Sequence, residues 1–299
     1  MSARRRNPAL DRWTARSLYA LEYAALCLTR AVVAPLPPRL RIRFGGWLGR
    51  MIVPGLPATR RRVGRNLLRA LPGADAAERA RIARAVGDNF GRVLAEYECL
   101  DRIAGDGGRA ALSGPGLAAL AAARAEGRGA VLVSAHFGNW EAIRFALKQQ
   151  GTPCAMIYRA FNNPWFDRDV RAKMLHAGEP VLTKGRQGMR AFVTHVAKGG
   201  VALILVDQKQ TGAPLVSFLG LPAETAPAAA ELASRCGVPL IPAFATRRAD
   251  GLSFDVELEA PVPEGEPIAR MAEVNERIGA RIRARPEQWF WLHNRWRGG

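Results

Sequence analysis

Short apolar runs alternate with amphipathic stretches from residue 129 to residue 259, and this alternation restricts the fold more than any other feature. The runs with the length and composition of buried strands are residues 129–136, 154–159, 179–184, 201–208, 239–247 and 252–259. The stretches with helical periodicity between them are residues 140–150, 164–177, 187–198 and 225–236. Such alternation is typical of parallel sheets with right-handed crossovers. The sequence therefore predicts an α/β fold in which a mixed, mostly parallel sheet is flanked by helices.

The residues before this region predict helices and a membrane-associated segment. Apolar residues recur every three or four positions in 60–71 and 76–100, and a Pro-Gly pair separates the two stretches. A glycine-rich connector follows at 104–116. We therefore predict three regions: a basic arm with an apolar membrane-associated helix at 1–38, a helical lead-in at 39–105 and an α/β catalytic domain at 106–299.

Residues 17–38 are strongly apolar but contain Glu22 and Arg30. A membrane-spanning helix needs about 20 residues with few or no charges, and no small-residue cleavage site follows, as a signal peptide would require. One interpretation is an amphipathic helix packed on its own domain. The flanking residues favour attachment to the inner face of a membrane, with the helix either spanning or lying flat. These flanking residues are Arg4, Arg5, Arg6, Arg12, Trp13, Arg16, Tyr19 and Tyr23.

The formal net charge of +18 at pH 7 predicts an acidic partner, which is anionic lipid, nucleic acid or an acidic protein. Arginine supplies most of this charge, and a GC-rich coding sequence would produce the same bias, so charge alone does not choose among them. A nucleic-acid-binding protein is expected to carry a motif such as an RRM or OB pattern. The sequence has no such motif, which disfavours that class.

The four cysteines are widely spaced and form no CxxC pair. This pattern predicts reduced, mostly buried thiols in a cytoplasmic setting. The four histidines form no cluster with cysteine at metal-ligand spacing. We therefore predict neither a metal site nor a bound cofactor.

Polar residues stand at the ends of four of the predicted strands. They are His136, Arg159, Lys184 and the pair Asp207 and Gln208. In open α/β sheets, binding and catalysis gather at the carboxyl ends of the strands. We therefore expect these side chains to share one edge of the sheet.

The stretch "SAHFGNWE" places His136 at a strand end and Glu141 in the first turn of the next helix. If the chain curls back between them, the carboxylate fixes the imidazole tautomer and stabilises the imidazolium formed on proton transfer. Gly138 permits a tight turn, and nearby N–H groups are expected to face a developing oxyanion. A covalent route is not supported, because Ser134 lacks a G-x-S-x-G setting and Cys154 has no activating neighbour. Direct attack by a substrate hydroxyl is the predicted chemistry.

Seven segments spread along the chain form an ordered series. They are "RRRVGRNLLRALPG", "DNFGRVLAEY", "GAVLVSAHFGNWE", "YRAFNNPWFDRDVR", "KGRQGMRAFVTHVAKGGVALILVDQK", "FLGLPAETAPAAAELASRCGVPLIPAF" and "PEQWFWLHNRWR". In this order they resemble the bacterial lipid A late acyltransferases, the lauroyl/myristoyl transferase family of the HxxxxD/E glycerolipid acyltransferase superfamily. The resemblance covers roughly residues 15–297, and the combination is far more specific than any single motif.

The resemblance implies roles for individual residues. His136 would be the general base and Glu141 its partner. Arg159 would bind an anionic group of the lipid acceptor, a phosphate, through a bidentate contact. Asp207 and Gln208 would shape the pocket floor. The remaining predicted substrate-binding residues are Asn139, Lys184 and Thr225.

The resemblance also implies an activity. Members of this family transfer a fatty acyl chain from acyl carrier protein to a hydroxyl of a lipid A precursor of the Kdo-lipid IVA type. The implied partners are acyl carrier protein, an anionic lipid acceptor and the cytoplasmic face of the inner membrane, with no nucleic acid. An acyltransferase that uses acyl-CoA, or a different glycolipid, aminolipid or phospholipid acceptor, is the main alternative. A basic nucleic-acid-binding protein is the less favoured one.

The aromatic tail "WFWLHNRW" admits two interpretations. In the first, the tail forms an aromatic patch at a membrane interface. In the second, it is a last strand or helix that packs tryptophan and phenylalanine into the core. His293 stands within this tail, whereas His176 and His195 lie in helical patterns and are not predicted to act in catalysis.

Overall fold

The computed structural model describes residues 8–99 and 110–296, with side chains from Arg16 onward. The described residues contain a seven-stranded sheet and a two-stranded hairpin. The strands are β1 (Ala110–Ser113), β2 (Ala130–Ser134), β3 (Cys154–Tyr158), β4 (Val181–Thr183), β5 (Val201–Leu205), β6 (Leu215–Phe218), β7 (Leu221–Glu224), β8 (Leu240–Arg247) and β9 (Phe254–Leu258). Every strand predicted from the apolar runs is present.

The large sheet has the order β1-β9-β8-β2-β5-β3-β4. All neighbouring strands are parallel except β8 and β9, which pair antiparallel. The predicted mixed, mostly parallel α/β sheet is therefore confirmed. The central strand β2 is buried along its whole length, because helices cover both faces of a parallel sheet.

Three strands were not predicted, and each has a physical reason. β1 lies inside the predicted connector; it is a four-residue edge strand with only alternate residues partly buried. β6 and β7 pair as a short hairpin closed by Leu219 and Gly220, whose φ angles are 53° and 79°. Pro222 within β7 removes an N–H donor, and a proline disfavours the prediction of a strand.

Helices pack on both faces of the sheet. The helices of the described residues are α1 (Pro8–Val33), α2 (Pro38–Gly55), α3 (Pro57–Ala70), α4 (Ala76–Glu96), α5 (Gly116–Ala125), α6 (Glu141–Gln149), α7 (Pro164–Ala177), α8 (Arg186–Ala197), α9 (Ala228–Cys236) and α10 (Pro267–Ala284). Leu132 of β2 packs with α5 and α6 on one face. Val131 and Val133 point to the other face and pack with α3, α4, α8, α9 and α10. The central strand of the sheet is thus held by a core on each side.

Two glycine pairs bring α2 and α4 into very close contact. A Cβ added at Gly49 would lie 2.1 Å from the Gly87 oxygen, and one at Gly91 would lie 2.0 Å from the Gly45 oxygen. Small residues four apart on each helix allow such an approach. α4 in turn reaches the sheet through buried Glu96, which pairs with Arg247 of β8. The predicted helical lead-in is therefore packed directly against the α/β layers.

The N-terminal helix α1 contacts the rest of the protein through a charged group. Arg30 pairs with Glu98 at 2.8 Å and with Asp169 of α7 at 2.5 Å. This explains how an arginine is accommodated in the apolar segment. Among the described residues, no helix combines the length and the apolar character that crossing a membrane requires. Arg4, Arg5 and Arg6, the side chains of Arg12 and Trp13, and connector residues 104–109 lie outside the described part of the structure.

The aromatic tail packs into the core. Trp289, Trp291 and Trp296 are buried, and the Trp289 ring contacts the other two at centroid distances of 4.7 and 6.2 Å. Of the two interpretations of the tail, core packing is correct for these tryptophans, and an interfacial patch is wrong. The segment also passes directly beside His136, because Phe290 N donates to the His136 carbonyl at 3.0 Å.

Candidate active site at the carboxyl edge of the sheet

Four neighbouring parallel strands end at the same edge of the sheet. They lie in the order β2, β5, β3, β4 and are followed by His136, Asp207, Arg159 and Lys184, respectively. Because adjacent strands are about 4.8 Å apart, Arg159 lies on the order of 10 Å from His136 along this edge. The strand ends therefore converge as predicted.

Asp207 is the carboxylate that contacts the His136 imidazole. Its Oδ1 lies 2.8 Å from His136 Nδ1. Its Oδ2 accepts the His136 backbone N–H at 3.0 Å and the Trp289 indole N–H at 2.8 Å. Since Nδ1 faces an anion, the proton of the neutral ring belongs on Nδ1, which leaves Nε2 with a free lone pair. This is the tautomer that a general base requires.

The electrostatics of the pair suit proton transfer. Asp207 is fully buried, and burial alone would raise its pKa. The charge and the hydrogen bonds of His136 outweigh burial and hold the pKa of this carboxyl well below its usual range. Asp207 therefore stays ionised and stabilises an imidazolium. The imidazole side chain itself is 18% exposed, so a substrate can reach it.

Glu141 occupies a different place from the one predicted for it. Its Oε2 pairs with Arg144 at 2.6 Å and its Oε1 accepts the Tyr97 hydroxyl at 3.1 Å. Glu141 and Arg144 are both 0% exposed. Arg144 also donates to the carbonyls of Met174 and Cys154. The carboxylate that orients His136 in the structure is thus Asp207. Glu141 neutralises Arg144, which fixes α6 against α7.

The turn after His136 is held from α4. Asn139 donates to Glu96 Oε2 at 2.8 Å and accepts the Glu141 N–H at 3.0 Å. Gly138 has φ +56°, and an added Cβ would lie 1.7 Å from the Ala245 oxygen, so only glycine fits. The turn is therefore a rigid support for the base.

Two predicted substrate-binding residues are not placed to touch a substrate. Asn139 and Thr225 are both 0% exposed. The Thr225 hydroxyl accepts hydrogen bonds from Arg295 at 2.6 Å and from Asn275 at 3.2 Å. Both side chains are already satisfied within the protein, so their contacts position neighbouring segments. Burial of this kind cannot be read from the motif alone.

The expected oxyanion donors are mostly occupied. The N–H groups of His136, Phe137, Gly138 and Glu141 donate to Asp207, Ala135, Gln288 and Asn139, respectively. Within the described part of the chain, the N–H groups of Asn139 and Trp140 are the two in this stretch without a hydrogen-bond partner. The prediction that N–H groups of this turn face a developing oxyanion is therefore narrowed to those of Asn139 and Trp140.

Aromatic groups that the motif did not identify surround the imidazole. The Trp140 ring lies 4.8 Å from it, the His293 ring 5.1 Å and the Phe290 ring 6.1 Å. Gln208 bridges the two histidines, with its Nε2 3.3 Å from His136 Nε2 and 2.8 Å from His293 Nε2. The only sequence signal for Phe290 and His293 is their membership of the C-terminal signature.

Arg159 and Lys184 extend the site along the edge. Both side chains are exposed, and Lys184 Nζ lies 3.3 Å from Gln210 Oε1. Two accessible cations on the same edge as His136 suit an anionic substrate group.

The alternative nucleophiles are buried. Ser134 and Cys154 are at most 1% exposed. Burial raises the pKa of the Cys154 thiol to about 12, so it stays protonated and unreactive. The site thus offers a base, and no activated nucleophile at either position.

Comparison with known proteins identifies the family. A sequence model described as bacterial lipid A biosynthesis acyltransferase matches residues 13–298. A lipid A biosynthesis acyltransferase of Haemophilus influenzae is 26% identical over 187 residues, which are 59% of this chain and 56% of that protein. A lipid A biosynthesis lauroyltransferase of Escherichia coli is 27% identical over 186 residues, 58% of each chain.

A relative named for a different acceptor matches over a similar span. A phosphatidylinositol mannoside acyltransferase of Mycobacterium tuberculosis is 26% identical over 185 residues, which are 60% of this chain and 58% of that protein. The matched part thus spans 56–58% of the length of these curated relatives. The family match, in contrast, extends over nearly the whole sequence, and the chain belongs to the bacterial lipid A biosynthesis acyltransferase family.

Proposed function

We propose that this protein transfers a fatty acyl chain from acyl carrier protein to a hydroxyl of a phosphorylated lipid A precursor, with His136 as the general base. The observation that carries the proposal is the 2.8 Å contact between His136 Nδ1 and Asp207. It leaves Nε2 as a proton acceptor at the open edge of the sheet.

The chemistry follows from this geometry. His136 Nε2 takes the proton of the acceptor hydroxyl while the hydroxyl oxygen attacks the thioester carbon. The new C–O bond forms, the C–S bond breaks, and the imidazolium returns its proton to the departing thiolate. Asp207 stabilises the positive charge on the ring between these steps.

Exposed cations on the same edge favour an acceptor that carries negative charge. Arg159 lies two strands from His136 and Lys184 three strands away on the same edge. A lipid acceptor with phosphates set apart from its reacting hydroxyl would contact these side chains while the hydroxyl reaches Nε2. The similarity to a phosphatidylinositol mannoside acyltransferase gives the alternative of another phosphorylated glycolipid.

The charge of helix α3 favours an acidic protein as the acyl donor. Its sequence PATRRRVGRNLLRA contains no acidic residue, and Arg60, Arg61 and Arg65 are exposed. Asn66 of α3 donates to the His293 carbonyl at 2.7 Å, so this basic helix lies beside the site. An acidic carrier docked on α3 would present its thioester at the catalytic edge.

Exposed apolar residues support attachment to a membrane surface. On α2, Leu40, Phe44, Trp47 and Met51 follow the spacing of one helical face and are 39–55% exposed. The side chains of Leu18, Leu21, Leu28 and Val32 form a similar face on α1. An apolar stripe on a helix that also carries arginine is typical of interfacial helices on anionic membranes. We place the protein at the cytoplasmic face of the inner membrane.

Acyl transfer is the direct test. Labelled acyl carrier protein thioester and a tetra-acylated, Kdo-bearing lipid A precursor would be incubated with wild type, His136→Ala and the exposed-histidine control His176→Ala. We expect wild type and the control to transfer the chain and His136→Ala to lose activity by about 10²–10⁴. Parallel reactions with acyl-CoA and with phosphatidylinositol mannoside identify the donor and the acceptor.

Two results would overturn parts of the proposal. Transfer by His136→Ala at the wild-type rate would exclude the general-base role. Transfer only to phosphatidylinositol mannoside would reject a lipid A acceptor while keeping the chemistry at His136.

A further inference from the structure

We propose that the side-chain amide of Gln208 is the oxyanion donor of this site and that His293 is the residue that positions it. This inference rests on the proposed acyl transfer. It assigns to His293, which the direct-attack mechanism does not use, a role in the transition state.

Hydrogen-bond donors and acceptors define the orientation of Gln208. Because Asp207 accepts the Nδ1 proton of His136, Nε2 of that ring is an acceptor. The amide nitrogen of Gln208, rather than its oxygen, therefore faces Nε2 at 3.3 Å. The same nitrogen lies 2.8 Å from His293 Nε2. An amide –NH2 group has two protons, so it donates one to each imidazole.

His293 is built to accept that proton. Burial first, and then the charge of His136, lower the pKa of His293 to about 4, so its ring is neutral near pH 7. The backbone around it is anchored to α3, where Asn66 donates to the carbonyls of Trp291 and His293 at 2.8 and 2.7 Å. The imidazole of His293, which accepts the Gln208 hydrogen bond, is therefore fixed in both position and protonation state.

Arrival of the acceptor hydroxyl frees one N–H of Gln208. The hydroxyl must take the place of Gln208 at His136 Nε2, since that lone pair accepts one hydrogen bond. Gln208 keeps its shorter bond to His293, and its second N–H is left beside the thioester carbon that the hydroxyl attacks. A donor held there strengthens its bond as the carbonyl oxygen becomes an anion, which is how such donors lower the barrier.

Other donors in the turn are largely committed. Four backbone N–H groups between His136 and Glu141 already bond to protein oxygens. Of the polar side chains that the structure describes at this edge, Gln208 is the one within hydrogen-bond distance of His136 Nε2. The exposed position of Gln208 lets it move without disturbing the core.

A double-mutant cycle tests the inference. Gln208→Ala is expected to lower kcat by about 10²–10³ with little change in KM. His293→Phe, which cannot accept the amide proton, is expected to lower kcat about tenfold. His293→Gln supplies an acceptor oxygen and is expected to restore most of that loss. Gln208→Ala/His293→Phe should be no slower than Gln208→Ala alone, because His293 acts only through Gln208.

The controls separate this inference from the proposed function. Gln187→Ala, an exposed glutamine of α8, should transfer at the wild-type rate. Full activity of Gln208→Ala together with an inactive His136→Ala would overturn the oxyanion role and leave the general base intact. A His293→Phe loss that adds fully to that of Gln208→Ala, or that His293→Gln does not restore, would overturn the positioning role. If His136→Ala is as active as wild type, it is the proposed function that fails.

Discussion

At the scale of residues, two buried carboxylates near one histidine have different tasks. Asp207 bonds to the imidazole, the backbone and the Trp289 indole, whereas Glu141 neutralises Arg144 inside the protein. The acid of the HxxxxE motif thus supports the turn and helix that carry the base. We therefore expect Glu141 to affect catalysis through the stability of the fold.

Replacing each carboxylate separately should distinguish these tasks. Asp207→Asn removes the anion that fixes the tautomer, so we expect kcat to fall by about 10³–10⁴ with the fold retained. Glu141→Gln leaves buried Arg144 without a counter-charge, so we expect a loss of about 3–5 kcal/mol in the free energy of unfolding. Denaturant unfolding and single-turnover rates measure the two effects. A Glu141→Gln variant as stable as wild type and as slow as Asp207→Asn would return Glu141 to a direct catalytic role.

His293 should make the fold sensitive to acid. Burial and the His136 charge lower the pKa of His293 to about 4 in the fold, while an unfolded chain binds this proton near pH 6.5. Between these values the unfolded state holds more protons, so stability falls as pH is lowered through that window, by about 3 kcal/mol in full. We expect His293→Gln to lose this part of the pH dependence in urea unfolding measured from pH 7 to pH 4. Identical slopes for variant and wild type would contradict it.

The sequence predicted which strand ends form the site, and it did not predict the side-chain contacts within it. The strand ends carrying His136, Arg159, Lys184 and Asp207 were predicted because apolar period and sheet topology determine which residues share an edge. The partner of His136 was not, because Asp207 lies 71 residues away and its hydrogen bonds depend on register and side-chain packing. Burial of Thr225 depends in the same way on a hairpin and a tail that have weak local signals.

At the scale of elements, α2 has two faces with different partners. Ile42, Gly46 and Val53 are buried, on the side where glycines bring the helix close to α4. The stripe that contains Phe44 and Trp47 faces away from the core. The helix can therefore rest on a membrane without giving up its contact with the catalytic layers.

One charge in the apolar stripe should weaken membrane binding. Trp47 is 55% exposed, and Leu215, which lies on β6 and outside α1 and α2, is 56% exposed. Trp47→Glu loses an apolar contact of about 2 kcal/mol, so we expect at least tenfold weaker binding to vesicles of phosphatidylethanolamine and phosphatidylglycerol, measured by co-sedimentation. Leu215→Glu should bind as wild type does. Equal weakening by both substitutions would show that α2 is not the contact face.

At the scale of the whole molecule, the net charge of +18 is spread unevenly over the protein. Acidic residues pair with arginine around the sheet, as in Glu96 with Arg247 and Glu257 with Arg281. α3 has only basic charges and lies beside the tail segment of the site. A long-range field centred there would steer an acidic donor toward the catalytic edge.

Reversing charge on α3 should slow capture of the donor. We expect Arg61→Glu/Arg65→Glu to lower kcat/KM for acyl carrier protein by at least about tenfold at low salt and to flatten its salt dependence, with kcat at saturation unchanged. Arg190→Glu/Arg235→Glu makes the same change in net charge on α8 and α9 and is the matched control. An equal loss in both variants would assign the effect to net charge and exclude docking on α3.

Trp289 lies near the end of the chain, so during translation the strands of the sheet are made before this part of the site. Its indole N–H completes the hydrogen bonds of Asp207, and Phe290 and His293 enclose the imidazole, yet all three follow every strand of the sheet in sequence. A nascent polypeptide can thus pair its strands while these residues are still inside the ribosome. His136 acquires its full set of neighbours only after the tail emerges, so we expect the site to be complete only once synthesis has passed His293.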